Sequence, residues 1–269
     1  MIKLGIIGDP IEHSLSPALH AWVLKRLGIA GEYRAYRIRT HQLKSFLVTA
    51  RELSGFNVTI PYKERIISLL DDMDPLARSL GAVNTVANCA GALVGYNTDY
   101  IGFVRSLAPH FSPQRAVLVG AGGAARAVSH ALLQTYRVSL TIVNRSPARA
   151  HQLARELQQR YPERTISVAS EPHAVHEALS ESDLIVNATP AAMPIALPER
   201  LSSHTLVYDL NYNPLRSKFL REAERRGAQP QNGLDMLIYQ ALESLKVWLG
   251  QPELKIDFEE LKRFLEGML

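Results

Sequence analysis

The apolar positions of this 269-residue chain fall into short β-prone runs that alternate with longer helical stretches. Residues 2–7 form the first run, which breaks at Gly8-Asp9-Pro10. A helix is expected after Ser16-Pro17, with Ser16 as N-cap and Pro17 at the first helical position, running to about Leu27 and stopping at Gly28. Residues 33–37 read as a strand, 41–53 as a helix ended by Ser54-Gly55, and 56–60 as a strand closed by Pro61. Helical sequence follows around 64–70 and again after Pro75. Residues 84–87 and 93–95 read as a hairpin around Ala90-Gly91, and Asn97-Thr98-Asp99 opens a helix through Leu107. Further strands are expected at 139–143, 166–169, 184–187 and 206–209, with helices between them, including about 148–161 and 218–226. Two helical stretches, 234–248 and 257–265, close the chain. Strand–helix alternation predicts an α/β protein with a mostly parallel sheet in its first third.

The stretch Val117-Leu118-Val119-Gly120-Ala121-Gly122-Gly123-Ala124-Ala125 organises the middle of the chain. A buried strand, a Gly-x-Gly-x-x-Ala turn and a helix to about Leu133 make up the fingerprint of a dinucleotide-binding unit. Gly120 allows the turn, Gly122 lets backbone approach a pyrophosphate, and Ala125 lets helix and strand pack closely. The helix N-terminus then faces the phosphates with free N–H groups. The next strand ends at Asn144-Arg145-Ser146, followed by Arg149. A site for NAD carries a carboxylate about 20 residues after the turn, to bind the ribose 2′-hydroxyl. Here a neutral amide and two arginines stand instead, and guanidinium forks suit the 2′-phosphate of NADP.

Because the fingerprint begins near residue 116, an independent unit precedes it. The expected organisation is a substrate-binding and catalytic domain of residues 1–101 plus 234–269, and a Rossmann-like NADP-binding domain of residues 102–233. The C-terminal helices return to the first domain, and substrate is expected in the cleft between the two. The first domain carries polar residues that packing does not require. Ser14 and Ser16 sit on the loop after the first strand. In a strand, Asn57 and Thr59 share one face and Val58 and Ile60 the other, just before Lys63. Asn84-Thr85 and Asn97-Thr98-Asp99 add amides and a carboxylate. Together they suggest a pocket for a small polyhydroxylated ligand.

These motifs resemble the shikimate dehydrogenase family. The resemblance rests on Ser-x-Ser-Pro (14–17), Asn-Val-Thr-x-Pro-x-Lys (57–63), Gly-Ala-Val-Asn-Thr (81–85), Gly-x-Asn-Thr-Asp (95–99), Gly-Ala-Gly-Gly-Ala (120–124), Asn-Arg-Ser (144–146), Asn-Ala-Thr (187–189), Tyr-Asn-Pro (212–214) and Gly-x-x-Met-Leu-x-x-Gln-Ala (233–241). It implies reversible reduction of 3-dehydroshikimate to shikimate with NADPH, on the route to chorismate and the aromatic amino acids. Carried over by position, Ser14 and Ser16 hold the substrate carboxylate. Thr59, Asn84, Asp99 and Gln240 bind or flank its hydroxyls, with Asn57 and Tyr212 nearby. Lys63 moves the proton, and Asp99 beside it favours the ammonium form, which suits proton delivery in the reductive direction. Gly120, Ala121, Gly122, Gly123, Ala124, Asn144, Arg145, Ser146, Arg149, Thr189, Leu210 and Gly233 contact the cofactor. Two departures stand out. Pro190-Ala191-Ala192-Met193 replaces the family's usual Ser-x-Gly-Met, and Ser146 replaces the usual Thr.

Composition narrows the alternatives. The chain is 46% hydrophobic and 21% charged, ordinary for a globular protein, and its net charge of +4 is spread without a nucleic-acid stripe. The single Cys89 excludes an intramolecular disulfide and fits a reducing, cytoplasmic compartment. No run of 18 apolar residues could span a membrane, and no signal peptide is evident. The histidines are scattered, so no metal site is expected. Trp22 and Trp248 read as core residues. The expected assembly is a monomer or homodimer. Two other readings remain: a quinate/shikimate dehydrogenase of broader specificity, with some use of NAD, and a non-catalytic relative that binds NADP or a shikimate-like acid.

Overall fold

The computed structural model describes residues 1–107 and 111–269. In chain order it begins with β1 (Ile2–Gly8), α1 (Ser16–Arg26), β2 (Gly31–Arg37), α2 (Leu43–Ala50), β3 (Gly55–Val58), β4 (Asp72–Met73) and α3 (Pro75–Leu80). Next come β5 (Thr85–Cys89), β6 (Ala92–Tyr96), α4 (Asp99–Ser106), β7 (Arg115–Val119), α5 (Gly123–Ala131), β8 (Ser139–Val143) and α6 (Pro147–Arg160). The rest is β9 (Ile166–Val168), α7 (Pro172–Ser180), β10 (Leu184–Asn187), β11 (Leu206–Asp209), α8 (Lys218–Arg225), β12 (Gln229–Asn232), α9 (Leu234–Leu249) and α10 (Phe258–Glu266). Two compact units result: Met1–Gly102 with Leu237–Met268, and Phe103–Met236.

The first unit holds a six-stranded sheet in the order β2-β1-β3-β5-β6-β4. β1 pairs in parallel with β2 and β3, and β4 with β6, whereas β5 runs antiparallel to both β3 and β6. The β5–β6 hairpin turns at Ala90 and Gly91, with φ of 54° and 93°. Two left-handed residues in succession match the right-handed twist of the flanking strands. One face of the sheet packs Ile7, Phe56, Val58, Tyr62, Val83 and Val86 into a single core. Tyr62 is fully buried and its hydroxyl donates to the Ile38 carbonyl, which anchors the turn that carries Lys63. α10 packs on α1, where Trp22 and Phe264 stack at 6.1 Å.

The second unit holds six strands in the order β12-β11-β10-β7-β8-β9, all paired in parallel. The strand order reverses between β7 and β10, the crevice where open α/β sheets bind ligands at the carboxyl ends of their strands. Central strands covered on both faces should be continuously apolar. Residues 116–119 of β7 and 184–187 of β10 are all buried, as are 206–209 of β11.

Several local expectations are corrected. Ser16 is the first residue of α1 rather than its cap, and Leu15 precedes it without a side-chain cap. Instead Ser14 Oγ accepts the Ser16 N–H at 3.2 Å, so the capping chemistry belongs to Ser14. The helix expected over 41–53 is a 3₁₀ turn followed by the shorter α2, and that expected over 64–70 is turns plus a 3₁₀ segment at Ile67–Leu69. β3 ends at Val58, so Thr59 lies beyond the strand rather than on a shared face with Asn57. The helix after the fingerprint changes to a π turn at Leu132. β12, with the sequence Gln-Pro-Gln-Asn, has no apolar signal. It forms an outer strand, where a proline is tolerated. Trp22 and Trp248 are half-buried rather than core.

Two buried histidines set an acid limit on this fold. His20 lies between the rings of Tyr33 and Trp248, at 4.2 and 5.5 Å, and neither ring nitrogen has a hydrogen-bond partner. Burial pushes it down to about 3; the nearby Asn57 amide weakly favours the charged ring without bonding it. Burial, then Arg126 and Arg160, push His130 down to about 4, against the opposing pull of Glu156. An unfolded histidine takes its proton near 6.5. The unfolded chain therefore binds more protons between those values, and stability is full above about 6.5 and falls as pH drops through the window. Denaturant unfolding is expected to lose about 1–2 kcal/mol per histidine between pH 7 and pH 5. His20→Phe is expected to remove about half of that pH dependence; an unchanged slope would mean that His20 does not carry it.

Candidate active site

In the first unit Lys63 and Asp99 form an ion pair. The Nζ–Oδ2 distance is 2.6 Å, with the side chains 14% and 6% exposed. Lys63 follows the Pro61 turn, and its carbonyl accepts the Val83 N–H at 2.8 Å, which ties it to the residue before Asn84. Asp99 opens α4 immediately after Asn97 and Thr98, so its carboxylate sits at a helix N-terminus, where negative charge is favoured. Asn84 Nδ2 donates to the other carboxylate oxygen, Oδ1, at 2.9 Å, to Thr98 Oγ1 at 2.9 Å and to Gln240 Oε1 at 3.3 Å. Four expected site residues, Lys63, Asp99, Asn84 and Gln240, are thus joined in one network.

Behind the pair lies a buried polar layer. Asn57 is 4% exposed and its amide is fully engaged. Its Oδ1 accepts from Tyr33 OH at 2.7 Å, and its Nδ2 faces Asn84 O, Thr85 Oγ1 and Ser244 Oγ at 3.0–3.1 Å. Asn57 therefore braces the interior. Tyr33, Thr85, Thr98 and Ser244 were not singled out by sequence as members of this network. For Ser244 a signal existed: it lies one helical turn after Gln240, on the same face of α9. Ser14 is half-buried and Ser16 buried at the start of α1, and Thr59 is half-buried beyond β3. Tyr212 belongs to the second unit and is half-buried there.

In the second unit the glycine turn has the geometry of a phosphate cradle. Gly120 has φ +123°, and a Cβ there would press on Thr189 Cγ2 and the Ala188 carbonyl at 3.1 and 3.2 Å. A Cβ on Gly122, just before α5, would stand in open space. Packing within the unit does not require a glycine at 122, and the space before the N-terminus of α5 is open there. Ala125 is fully buried against the sheet. Gly233 is demanded by close approach, since a Cβ would lie 2.0 Å from the Leu210 carbonyl oxygen. Asn187, Asn211 and Ser217 all donate to Asp209, a fully buried carboxylate, at 2.6–3.1 Å. Asn187 Oδ1 in turn holds Thr189 N and Oγ1 at 2.9 and 2.8 Å. The loop departing from the family pattern, 190–193, is exposed beyond this braced threonine.

After β8, Asn144 Nδ2 donates to the Ser146 carbonyl at 2.9 Å and closes the turn into α6. Arg145, Ser146 and Arg149 are exposed. No Asp or Glu occurs from 139 to 155. A donor set without carboxylates fits a dinucleotide carrying an extra phosphate. Among the described residues no group of three or more His, Cys, Asp or Glu is placed to hold a metal, and no helix is long and apolar enough to cross a membrane.

Residues 6–86 match the model of the shikimate dehydrogenase substrate-binding domain, and residues 103–209 that of shikimate/quinate 5-dehydrogenase. A shikimate dehydrogenase (NADP(+)) of Methanopyrus kandleri is 38% identical over 261 residues, covering 92% of this chain and 90% of that protein. This chain belongs to the shikimate dehydrogenase family. Among solved members, the Thermus thermophilus shikimate 5-dehydrogenase in complex with NADP(H) and shikimate is 35% identical, with a TM-score of 0.87 and full coverage of both chains. The quinate dehydrogenase of Corynebacterium glutamicum in complex with NAD is 32% identical, with a TM-score of 0.83 and 98% coverage of each. As in a shikimate dehydrogenase, the α/β fold here has a Rossmann-like unit of all-parallel strands.

Proposed function

We propose that this chain is an NADP-dependent oxidoreductase that interconverts 3-dehydroshikimate and shikimate in aromatic amino-acid biosynthesis. The observation that carries the reading is the Lys63–Asp99 pair, nearly buried and bridged by Asn84 to Gln240. An ammonium held at a fixed point can protonate a carbonyl oxygen as that oxygen becomes a hydroxyl. NADPH, when bound, supplies the hydride. In reduction Lys63 gives its proton to the reacting oxygen, while Asp99 aims the ammonium and accepts from a substrate hydroxyl. In oxidation Lys63 takes the proton back. Ser14 and Ser16 hold the substrate carboxylate through hydroxyl and backbone donors. Thr59, Asn84 and Gln240 bind its hydroxyls, with Tyr212 alongside and Asn57 bracing them from behind.

The first unit is the substrate domain in this reading, and the second is the cofactor domain. Gly120, Ala121, Gly122, Gly123 and Ala124 cradle the pyrophosphate. Asn144, Arg145, Ser146 and Arg149 surround the 2′-phosphate, and Thr189, Leu210 and Gly233 line the nicotinamide side. The deciding assay is steady-state kinetics with shikimate and quinate, each with NADP and NAD. Shikimate with NADP is expected to give the highest kcat/KM, by about tenfold or more over shikimate with NAD, since one charge-assisted contact to the 2′-phosphate is worth that much. Absence of turnover with shikimate and either cofactor would sink the reading. The likeness to a quinate dehydrogenase keeps quinate as the second substrate in the same assay.

A further inference from the structure

We propose that Ser244 is a positioning residue for the reaction, acting through Asn84 on Asp99 and along its own helix on Gln240. The inference rests on the assignment of Asp99 above. Ser244 is completely buried on α9. Its Oγ lies 2.7 Å from Thr85 Oγ1, 3.1 Å from Thr98 Oγ1 and 3.0 Å from Asn57 Nδ2, and it donates to the Gln240 carbonyl at 2.9 Å. Thr85 and Thr98 are themselves 3.3 Å apart, so three hydroxyls form a closed ring shielded from water.

The proton count gives Ser244 its role. Asn84 Oδ1 has two lone pairs, but three donors lie within reach: Thr98 N at 2.7 Å, Thr98 Oγ1 at 3.2 Å and Thr85 Oγ1 at 3.1 Å. One hydroxyl proton is therefore surplus. Ser244 spends its own proton on the Gln240 carbonyl, which leaves its lone pairs to take the surplus one. The Asn84 amide is then held in a single orientation, with its Nδ2 aimed at Asp99 Oδ1. Asp99 in turn aims Lys63. Without the serine hydroxyl both threonine protons compete for Asn84 Oδ1, and the amide, the carboxylate and the ammonium lose their common register. Catalytic groups must be held closely for full effect, so a small misalignment is felt in turnover.

Ser244→Ala tests the idea at limited cost to the buried groups. Asn57 Nδ2 keeps two acceptors, Asn84 O and Thr85 Oγ1, and the threonine proton displaced from Asn84 Oδ1 falls back on the other threonine oxygen, 3.3 Å away. The variant is expected to bind NADP like the parent and to melt within a few degrees of it. Its kcat for shikimate oxidation is expected to fall roughly fivefold to thirtyfold with KM within about threefold, a small part of what a general acid–base group contributes. In an Asp99→Asn background Ser244→Ala is expected to cost less than twofold more, because residues acting in one chain are not additive. Ser129→Ala, which deletes a fully buried serine hydroxyl in the other unit, serves as control and is expected to leave kcat unchanged. If Ala loosens the fold, Ser244→Cys, somewhat larger and only a weak donor and acceptor, fills the space and is read in the same way. A Ser244→Ala kcat within twofold of an active parent, or an equal loss in the Asp99→Asn background, overturns the positioning role. A parent that does not oxidise shikimate overturns the proposed function instead.

Discussion

Replacing Lys63 with Ala is expected to lower kcat for both directions of the shikimate reaction by about 10²–10⁴, the range for a general acid–base group, with a smaller change in KM. The size of the effect follows from the setting. Lys63 Nζ is held 2.6 Å from Asp99 Oδ2 and is 14% exposed, so water has little access to stand in for it. Asp99→Asn is expected to cost kcat too, because the ammonium loses the charge that aims it. The loss should be smaller, since an amide oxygen still accepts a hydrogen bond. Lys63→Ala also leaves Asp99 nearly buried without its cation, though the carboxylate keeps the Asn84 amide and the start of α4. The fold should therefore survive, and single-turnover rates can be compared directly. A near-parental kcat with only a raised KM would make Lys63 a binding residue and send the proton through another group.

The second large effect concerns the cofactor. Arg145→Ala is expected to raise KM for NADP about tenfold or more and to leave KM for NAD nearly unchanged. A charge-assisted contact to a phosphate is worth about 1.5–3 kcal/mol, and about 1.4 kcal/mol is a factor of ten. The turn that presents Arg145 is closed by Asn144 and the Ser146 carbonyl, not by the arginine, so the substitution should not disturb the backbone. Equal losses with both cofactors would show that Arg145 does not read the ribose phosphate. Arg149, in the first turn of α6, is expected to add a second and weaker contribution in the same assay.

The glycine turn of the second unit was legible because its geometry is local. Gly120 and Ala125 lie a few residues apart, and each is demanded by its own surroundings, the positive φ of the turn and the full burial of the helix face, while Gly122 between them stands open. The same holds for the apolar central strands and for the Ala90-Gly91 hairpin turn. Where the signal was weak, the reading failed. β12 has no apolar pattern and is placed only by pairing with β11, and the 64–70 segment has helical composition but is held as turns. Ser14 and Ser16 were recognised as a pair, yet which of them receives the backbone N–H depended on where α1 begins.

The Lys63–Asp99 network drew on both levels. Sequence motifs nominated Lys63, Asn84, Asp99 and Gln240 one by one, but no spacing joins residues that lie 36 and 156 positions apart. The register of β3 against β5 brings Asn57 opposite Thr85, and the return of α9 to the first unit brings Ser244 to within hydrogen-bonding distance of both. Side-chain identity therefore determined which groups could carry charge, donate or accept. Strand register and helix return decided which of them meet, because a hydrogen bond is satisfied over about 3 Å of space whatever the separation along the chain. That is why Ser244, 187 residues from Asn57, shows in the sequence only as a neighbour of Gln240 on one helix face, and is central in the folded network.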